Sequence, residues 1–317
     1  MQVVGYVLIA ILILILFSGA YTFVMACVRR KELPWMDEKA LKKTSYGKYY
    51  ENIVIGNQFL NENLSWEVHI TSDDGLKLSG VWVPAENPKG TILLAHGYRS
   101  SKIVDFSLAF GMYHALGLNI LIPDQRAHGK SEGKYITFGV KESQDMQLWV
   151  AYHNKTFGEF PLILSGLSMG ASTMLYLADA DLPVNVKGII ADCGFTSPRD
   201  KIRSVFHNVI HLPAAPTLWV ADLFARLFAG FSLTEKDSRR TLKNSKLPVL
   251  LVHGEDDGFV PCSMSDSIHA EAKKHGKPIK YLTFKGADHG MSYIVEQERY
   301  EKEIVCFLSK LTNTDNE

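Results

Sequence analysis

Short apolar runs of strand length recur along this chain, and helix-length stretches separate several of them. Continuous apolar runs are typical of strands that are buried on both faces of a parallel sheet. Parallel strands need crossover connections, which helices within stretches such as 103–116 and 140–153 would supply. The pattern predicts an α/β fold with a mostly parallel, doubly wound sheet. The apolar runs fall at residues 91–95, 119–122, 161–164, 186–190, 248–252 and 279–284.

Two segments depart from this alternation of strands and helices. Residues 66–70 and 76–83 alternate polar and apolar side chains on either side of an Asp-Asp-Gly turn, which predicts a β-hairpin. Residues 198–247 carry no strand pattern, although 218–228 are apolar on more than one face. Because so long a connection is usually functional or helical in its own right, we interpret about 198–247 as a helical cap over the sheet edge.

The N-terminus carries an apolar segment that is long enough to cross a membrane. Residues 3–28 include no charged side chain. At 1.5 Å per residue these 26 residues reach about 39 Å as a helix, against a hydrocarbon core of about 30 Å. A buried core helix would rarely stay apolar on every face for this length. A cleaved signal peptide is the other alternative, but its positive n-region and a clean small-x-small cleavage site are missing.

Basic residues follow this segment and predict its orientation. Arg29, Arg30 and Lys31 come directly after it, and no basic side chain precedes it. The positive-inside rule then places the rest of the chain in the cytoplasm. We therefore expect a cell-membrane protein with one transmembrane anchor at 1–30, a juxtamembrane linker with one short helix at 31–61, and the α/β domain at 62–317.

Composition excludes several other classes of protein. Lys plus Arg and Asp plus Glu both number 34, so no basic excess favours nucleic acid as a partner. The 46% hydrophobic content is too high for a disordered chain. The four cysteines are scattered and form no C-x-x-C pair, so neither a metal site nor a disulfide framework is indicated.

A serine lies in a pattern that is typical of a nucleophile turn. The run Gly166-Leu167-Ser168-Met169-Gly170 is a weak indicator alone, but it directly follows a predicted strand and opens a predicted helix. The glycines would let the backbone turn tightly. Ser168 would then project its hydroxyl above the carboxyl edge of the sheet, where we expect it to act as the nucleophile.

A serine hydroxyl needs a base, and two later loops provide candidates. The loop 253–261 and the loop 286–290 each follow a predicted strand, so both surface at the same sheet edge as Ser168. In chain order, Asp257 and His289 follow the serine as an acid and a base should. We expect His289 to activate Ser168, and Asp257 to orient the imidazole.

Other acids and histidines compete for these roles. Asp256 adjoins the candidate acid and Asp288 adjoins the candidate base, and residue type alone leaves both open. His128 precedes the serine and so has the wrong order, which favours a structural role. We also expect structural roles for His96 and His253, which lie at strand ends.

Acyl transfer further requires donors for the oxyanion that develops in the transition state. The backbone N–H of Met169, the residue after the nucleophile, is the first expected donor. The second should come from the loop after residue 95, where the N–H of Tyr98 is best placed.

These motifs together resemble the α/β-hydrolase superfamily, over about residues 61–311. The pattern is most similar to bacterial membrane-anchored hydrolases of the serine-aminopeptidase-like branch. The resemblance places the acid on Asp257 rather than Asp256. Ala127 is a departure, since glycine is common there, but it does not touch the chemistry. The matching runs, in order, are His96-Gly97-Tyr98, Asp124 through Ser131, the nucleophile turn, His253 through Pro261 and Gly286 through Gly290.

The resemblance implies serine hydrolysis of esters or amides without a cofactor or a metal, and it does not identify a substrate. We expect a membrane-anchored serine hydrolase that cleaves carboxylic esters through an acyl-enzyme intermediate, with a small-molecule ester or acyl compound as its substrate. A serine peptidase or amidase is the nearest alternative. A noncatalytic binding protein on the same fold would have no need for all three groups in order.

Overall fold

The computed structural model describes residues 2–44 and 47–312. Its centre is an eight-stranded sheet in the order β1-β2-β4-β3-β5-β6-β7-β8. The β1–β2 and β2–β4 pairs are antiparallel and all other pairs are parallel, which confirms the predicted fold class. The strands are β1 Trp66–Thr71, β2 Lys77–Val83, β3 Gly90–Ala95, β4 Leu118–Pro123, β5 Leu162–Leu167, β6 Val186–Asp192, β7 Val249–Gly254 and β8 Ile279–Phe284.

Helices cover both faces of the sheet and its carboxyl edge. A short 3₁₀ turn at Gly47–Tyr49 and two π-helical turns at Phe206–Ile210 and Ala225–Ala229 adjoin them. The helices are α1 Gln2–Cys27, α2 Glu38–Leu41, α3 Tyr50–Glu62, α4 Lys102–Phe106, α5 Ala109–Ala115, α6 Val140–Phe157, α7 Met169–Leu175, α8 Pro198–Val205, α9 Thr217–Phe224, α10 Ser238–Asn244, α11 Ser263–Lys274, α12 Ser292–Val295 and α13 Gln297–Thr312.

The sheet separates two apolar cores. Along β3, Leu93 packs in a cluster with Trp149 of α6, whereas Ile92 and Leu94 pack in a second cluster with Phe110 of α5. Successive side chains of a strand point to opposite faces, so a strand that is apolar at every position must be covered on both sides.

The parallel register brings the functional loops to one edge. Ala95 of β3 pairs with Gly166 of β5, and Gly254 of β7 pairs with Phe284 of β8. These residues lie at or within one residue of the carboxyl ends of their strands. The turns that leave these strands therefore meet above the same edge, as is general for open α/β sheets.

The region predicted as a cap is helical in the structure. Helices α8, α9 and α10 and both π-helical turns lie between residues 198 and 247. Leu218, Ala221 and Ala225 are buried there in a third apolar cluster, which also contains Phe138 and Phe195 from loops at the carboxyl edge of the sheet. This cluster fixes the cap over the sheet edge.

The segment predicted as a linker with one short helix holds α2 and the 13-residue helix α3 in the structure. Helix α3 ends at Glu62 and packs on the domain: a Cβ at Gly56 would lie 2.6 Å from Cα of Ser107, and the rings of Phe59 and Phe110 are 5.7 Å apart. Apolar residues at helical spacing, obscured by the surrounding polar residues, explain this packing. Residues 45–46 of the predicted linker and 313–317 of the predicted domain lie outside the described residues.

Helix α1 is long and apolar enough to cross a membrane, and most of it is exposed. Its last third packs along α9 of the cap. Oγ of Ser18 lies 3.0 Å from Oγ1 of Thr217, and a Cβ at Gly19 would lie 2.3 Å from Cβ of Val220. Phe23 is buried in the cluster of the cap. The last third of α1 is therefore packed against the domain.

Candidate active site

Ser168 lies on a sharp turn between β5 and α7. Its backbone has φ +57° and ψ −115°, a conformation rare for residues other than glycine. A Cβ at Gly170 would lie only 1.8 Å from the carbonyl oxygen of Ala95, so α7 can approach β3 only with glycine there. The Ser168 N–H donates to the carbonyl of Asp192 at 2.8 Å, which fixes the turn on β6.

The structure brings the three predicted residues together. Nε2 of His289 lies 2.9 Å from Oγ of Ser168, and Nδ1 of His289 lies 2.7 Å from Oδ2 of Asp257. Because the ionised carboxylate only accepts hydrogen bonds, Nδ1 carries the proton and Nε2 is free to accept one from the serine. This is the arrangement of a nucleophile, a general base and an orienting acid.

Asp257 is well supplied with hydrogen-bond donors. Its Oδ1 accepts from the N–H groups of Phe259 and Val260, and its Oδ2 faces His289. Burial acts to raise the pKa of Asp257, but hydrogen bonds from His253 and His289 outweigh it and hold that pKa well below its ordinary value. The carboxylate therefore stays ionised at neutral pH.

The other two candidate acids, Asp256 and Asp288, have different surroundings. The side chain of Asp256 is exposed. Oδ1 of Asp288 accepts from the backbone N–H groups of Gly258 and His289, which links the two loops. Of the three acids, Asp257 is the one that contacts the imidazole of His289.

His96 and His128 support the loops around the site. Nε2 of His96 accepts from the N–H of Gln125, and Nε2 of His128 accepts from the N–H of Arg99, both at 3.0 Å. Burial lowers the pKa of His96 to about 4 and that of His128 to about 3. Both are therefore neutral acceptors at physiological pH, as their predicted structural roles require.

His253 contacts the carboxylate of Asp257, a contact that the sequence analysis did not predict. Its Nε2 lies 2.9 Å from the carbonyl of Val260 and 3.2 Å from Oδ2 of Asp257. A carbonyl can only accept, so Nε2 carries the proton, while Nδ1 accepts from the hydroxyl of Ser265 at 2.6 Å. The only available signal was the four-residue separation of His253 from Asp257 after a strand.

The two predicted oxyanion donors belong to Met169, which follows the serine, and to the loop that carries Tyr98. Met169 is the first residue of α7, where a backbone N–H has no acceptor within its own helix. A Cβ at Gly97 would lie 3.4 Å from Cβ of Ser168, so the loop after β3 passes directly over the nucleophile. The N–H of Gly97 itself donates to Asp105, which leaves the N–H of Tyr98 for this role. The assignment stays a prediction.

A cavity of about 760 Å³ opens over Ser168 and His289. Much of its lining is apolar, with contributions from Ile136, Phe259 and Met291. Another part is formed by residues 30–33, which follow the end of α1. Its volume is typical of a small-molecule site.

One group among the described residues has the spacing of a metal site. Ligand atoms of Cys193, Asp257 and His289 lie within 4.8 Å of one another. Burial raises the pKa of Cys193 well above its ordinary value, so the sulfur is a thiol, whereas metals bind the thiolate. His289 and Asp257 are also already paired. The donor set does not favour a metal.

Comparison with known proteins gives a family model and several relatives. The family model described as serine aminopeptidase, S33, matches residues 86–223. An uncharacterized protein, YqkD of Bacillus subtilis, is 30% identical over 246 residues, which are 77% of this chain and 79% of the relative. A bifunctional esterase/perhydrolase of Acinetobacter calcoaceticus is 38% identical over 77 residues, 24% of this chain and 26% of the relative.

A solved structure has a similar fold. The Pyrococcus furiosus esterase Pf2001 superposes with a TM-score of 0.64 at 24% sequence identity, covering 80% of this chain and 92% of the esterase. Identity at this level shows a common fold, and it leaves the chemistry to be argued from the side chains of this chain.

Proposed function

The chain belongs to the α/β-hydrolase superfamily and is a hydrolase; we propose that it is a serine hydrolase that cleaves carboxylic esters while anchored in a membrane. The observation that carries the proposal is the continuous line from Oγ of Ser168 to Nε2 of His289, at 2.9 Å, and from Nδ1 of His289 to Asp257, at 2.7 Å. A binding protein would gain nothing from a base aimed at a serine on a strained turn.

The reaction proceeds in two halves. His289 takes the proton of Ser168 as Oγ attacks the acyl carbon, and Asp257 stabilises the imidazolium. The N–H groups of Tyr98 and Met169 bind the oxyanion of the tetrahedral intermediate. His289 then gives its proton to the alkoxide oxygen, and the alcohol leaves an acyl group on Ser168. A water molecule, activated by His289, repeats the attack and releases the carboxylic acid and the free serine.

The cavity supports an acyl ester as the substrate. Its apolar lining suits an acyl chain, and its volume of about 760 Å³ lies within the range of small-molecule sites. A serine peptidase or amidase is the second candidate, because the matching family model is described as a serine aminopeptidase. The same three side chains would then protonate an amine leaving group.

Contacts of α1 support its retention as a membrane anchor. Side chains of Tyr98 and Arg99 donate to the carbonyls of Ala26 and Met25, both at 2.8 Å, and so satisfy the C-terminal end of the helix. The buried Phe23 packs in the cluster of the cap. Removal of α1 as a cleaved signal would expose this apolar surface. We propose that the domain faces the cytoplasm because of the basic residues that follow the helix.

A fluorophosphonate probe tests the serine assignment. The wild type should be labelled, Ser168→Ala should not, and the exposed Ser263→Ala should be labelled like the wild type. Equal labelling of Ser168→Ala would overturn the nucleophile. A panel of esters of increasing acyl length beside aminoacyl amides then decides between esterase and peptidase. An unlabelled wild type that cleaves none of them would favour a binding protein.

A further inference from the structure

The cap carries an exposed apolar face, where a helix at a water-exposed surface usually carries polar side chains. Trp219, Leu223 and Leu227 follow one another at four-residue intervals along α9 and the π-helical turn after it. Their exposed fractions are 62%, 49% and 67%. Asp222 and Arg226, which form an ion pair with each other, lie between this face and the buried face of the helix. Three large apolar side chains on one face mark an interaction surface.

The same helix lies along the predicted membrane anchor. Helices α1 and α9 run parallel, because residue numbers rise in both helices from one contact to the next. The contacts are Ser18–Thr217, Gly19–Val220 and Phe23–Phe224. Ser18 precedes the last residue of α1 by nine positions. At 1.5 Å per residue, α9 lies within about 14 Å of the end of α1, a depth of about one leaflet of the hydrocarbon core.

We propose that the face formed by Trp219, Leu223 and Leu227 is embedded in the leaflet that α1 enters, and that the substrate is an ester dissolved in that leaflet. The inference rests on the proposed function of Ser168 and on the anchor. Its occupant is lipid because α9 packs along α1, whose exposed side chains, including Phe17 and Tyr21, are apolar as well. Leucine transfers favourably into the acyl region of a bilayer, and tryptophan is enriched where that region meets the headgroups.

The cavity is placed to receive such a substrate. Arg30 through Leu33, which line it, begin three residues after Cys27, the last residue of α1. Tyr98 also lines the cavity, and its hydroxyl donates to the carbonyl of Ala26 in the last turn of α1. The passage to Ser168 therefore begins where the anchor leaves the hydrocarbon. An ester would enter from the leaflet past the charged side chains of Arg30, Lys31 and Glu32, and its acyl chain would reach the apolar part of the cavity without crossing bulk water.

Fluorescence quenching tests where the cap lies. The full-length protein is placed in phosphatidylcholine vesicles whose acyl chains are either brominated or not. Brominated chains should quench the wild type, Trp219→Phe should lose at least half of that quenching, and Trp66→Phe, which changes an exposed tryptophan on β1, should keep it. Equal quenching of Trp219→Phe and wild type, with both bound to the vesicles, would overturn the proposal.

A second experiment measures substrate delivery. The variant Leu223→Asp/Leu227→Asp should hydrolyse a long-chain ester in vesicles about tenfold more slowly than wild type, because carboxylates resist transfer into lipid. It should hydrolyse a short water-soluble ester within about twofold of wild type, since the triad is untouched. Val184→Asp, at an exposed site before β6, is the matched control.

The two substrates separate the possible failures. An unchanged rate on the vesicle ester overturns the role of the cap in delivery. A wild type that cleaves neither ester contradicts the proposed function, and the quenching experiment still decides whether the cap enters the membrane.

Discussion

Nε2 of His253 lies 3.2 Å from Oδ2 of Asp257, the oxygen that also faces His289. One carboxylate oxygen thus stands between two imidazoles. His253 is held by Val260 and Ser265, so its position does not depend on the substrate. Its hydrogen bond stabilises the charge of Asp257, so His253 would act through that residue as a positioning group.

Asp257→Asn should lower kcat for ester hydrolysis by about 10⁴-fold, whereas Asp256→Asn should change it by less than about threefold. An asparagine amide that faced Nδ1 of His289 would favour the wrong tautomer of the base. Steady-state kinetics of the two purified variants on one ester provides the comparison. Equal losses would move the role of the acid away from Asp257.

Ser168→Ala and His289→Ala should each abolish nearly all hydrolysis, and the double variant should be little worse than either. The two groups act as one unit, so their losses do not add. Burst kinetics and steady-state kinetics on a short ester measure the effect. More than about a tenth of wild-type kcat in either single variant would refute the assignment, because triad losses span several orders of magnitude.

Gly170→Ala and Gly111→Ala should change stability in opposite directions. The new methyl group at Gly170 would meet the carbonyl of Ala95, and we expect a loss of at least about 3 kcal/mol together with loss of probe labelling. Gly111 lies inside α5 with open space around it, so alanine should add about 0.5–1 kcal/mol. Thermal unfolding in mild detergent gives both values. Normal labelling of Gly170→Ala would contradict the geometry of the turn.

Stability should fall between pH 7 and pH 5 because of buried histidines. The pKa of His128 is lowered to about 3, whereas an unfolded histidine titrates near 6.5. Below pH 6.5 the unfolded state therefore binds a proton that the folded state refuses, and folding loses about 2 kcal/mol by pH 5. The free energy of unfolding of His128→Gln should depend on pH by that much less than in the wild type. The exposed His207→Gln should keep the full pH dependence, and equal curves for all three proteins would contradict the prediction.

The anchor should remain uncleaved, with the domain on the cytoplasmic side. Moving three cations outward is opposed by about 2.3 kcal/mol per charge per 100 mV of membrane potential. Protease added to intact cells should leave the domain whole, and protease added to inverted vesicles should digest it. N-terminal sequencing of the membrane fraction is the companion measurement. A mature N-terminus beyond Ala20 would show a cleaved signal, and digestion from outside would reverse the orientation.

The strands and the nucleophile turn can be predicted from the sequence because the patterns that indicate them are local. Residues 161–164 predict β5 by their apolar character alone, and the glycines around Ser168 predict the turn that follows. The proximity of Asp257 and His289 follows from the common edge that parallel strands share.

Other features depend on partners that are distant in the chain. Gly19 and Val220 meet although about 200 residues separate them, and no local pattern pairs them. The packing of helix α3 on the domain was missed for a similar reason, since its apolar stripe is weak until Phe110 is known to lie opposite Phe59. The contact of His253 with Asp257 depends on the path of the loop between them, which residue type alone does not define.

If α1 is the membrane anchor that we propose, the packing of Gly19 on Val220 makes it a rigid arm rather than a tether. A catalytic domain on a flexible linker would move through the volume above the bilayer and meet substrates from any direction. A domain that is locked to its spanning helix can only translate and rotate within the plane of the membrane. Its search for substrate would then be two-dimensional, and the tilt of one helix would set the height and the angle at which the proposed active site passes over the lipids.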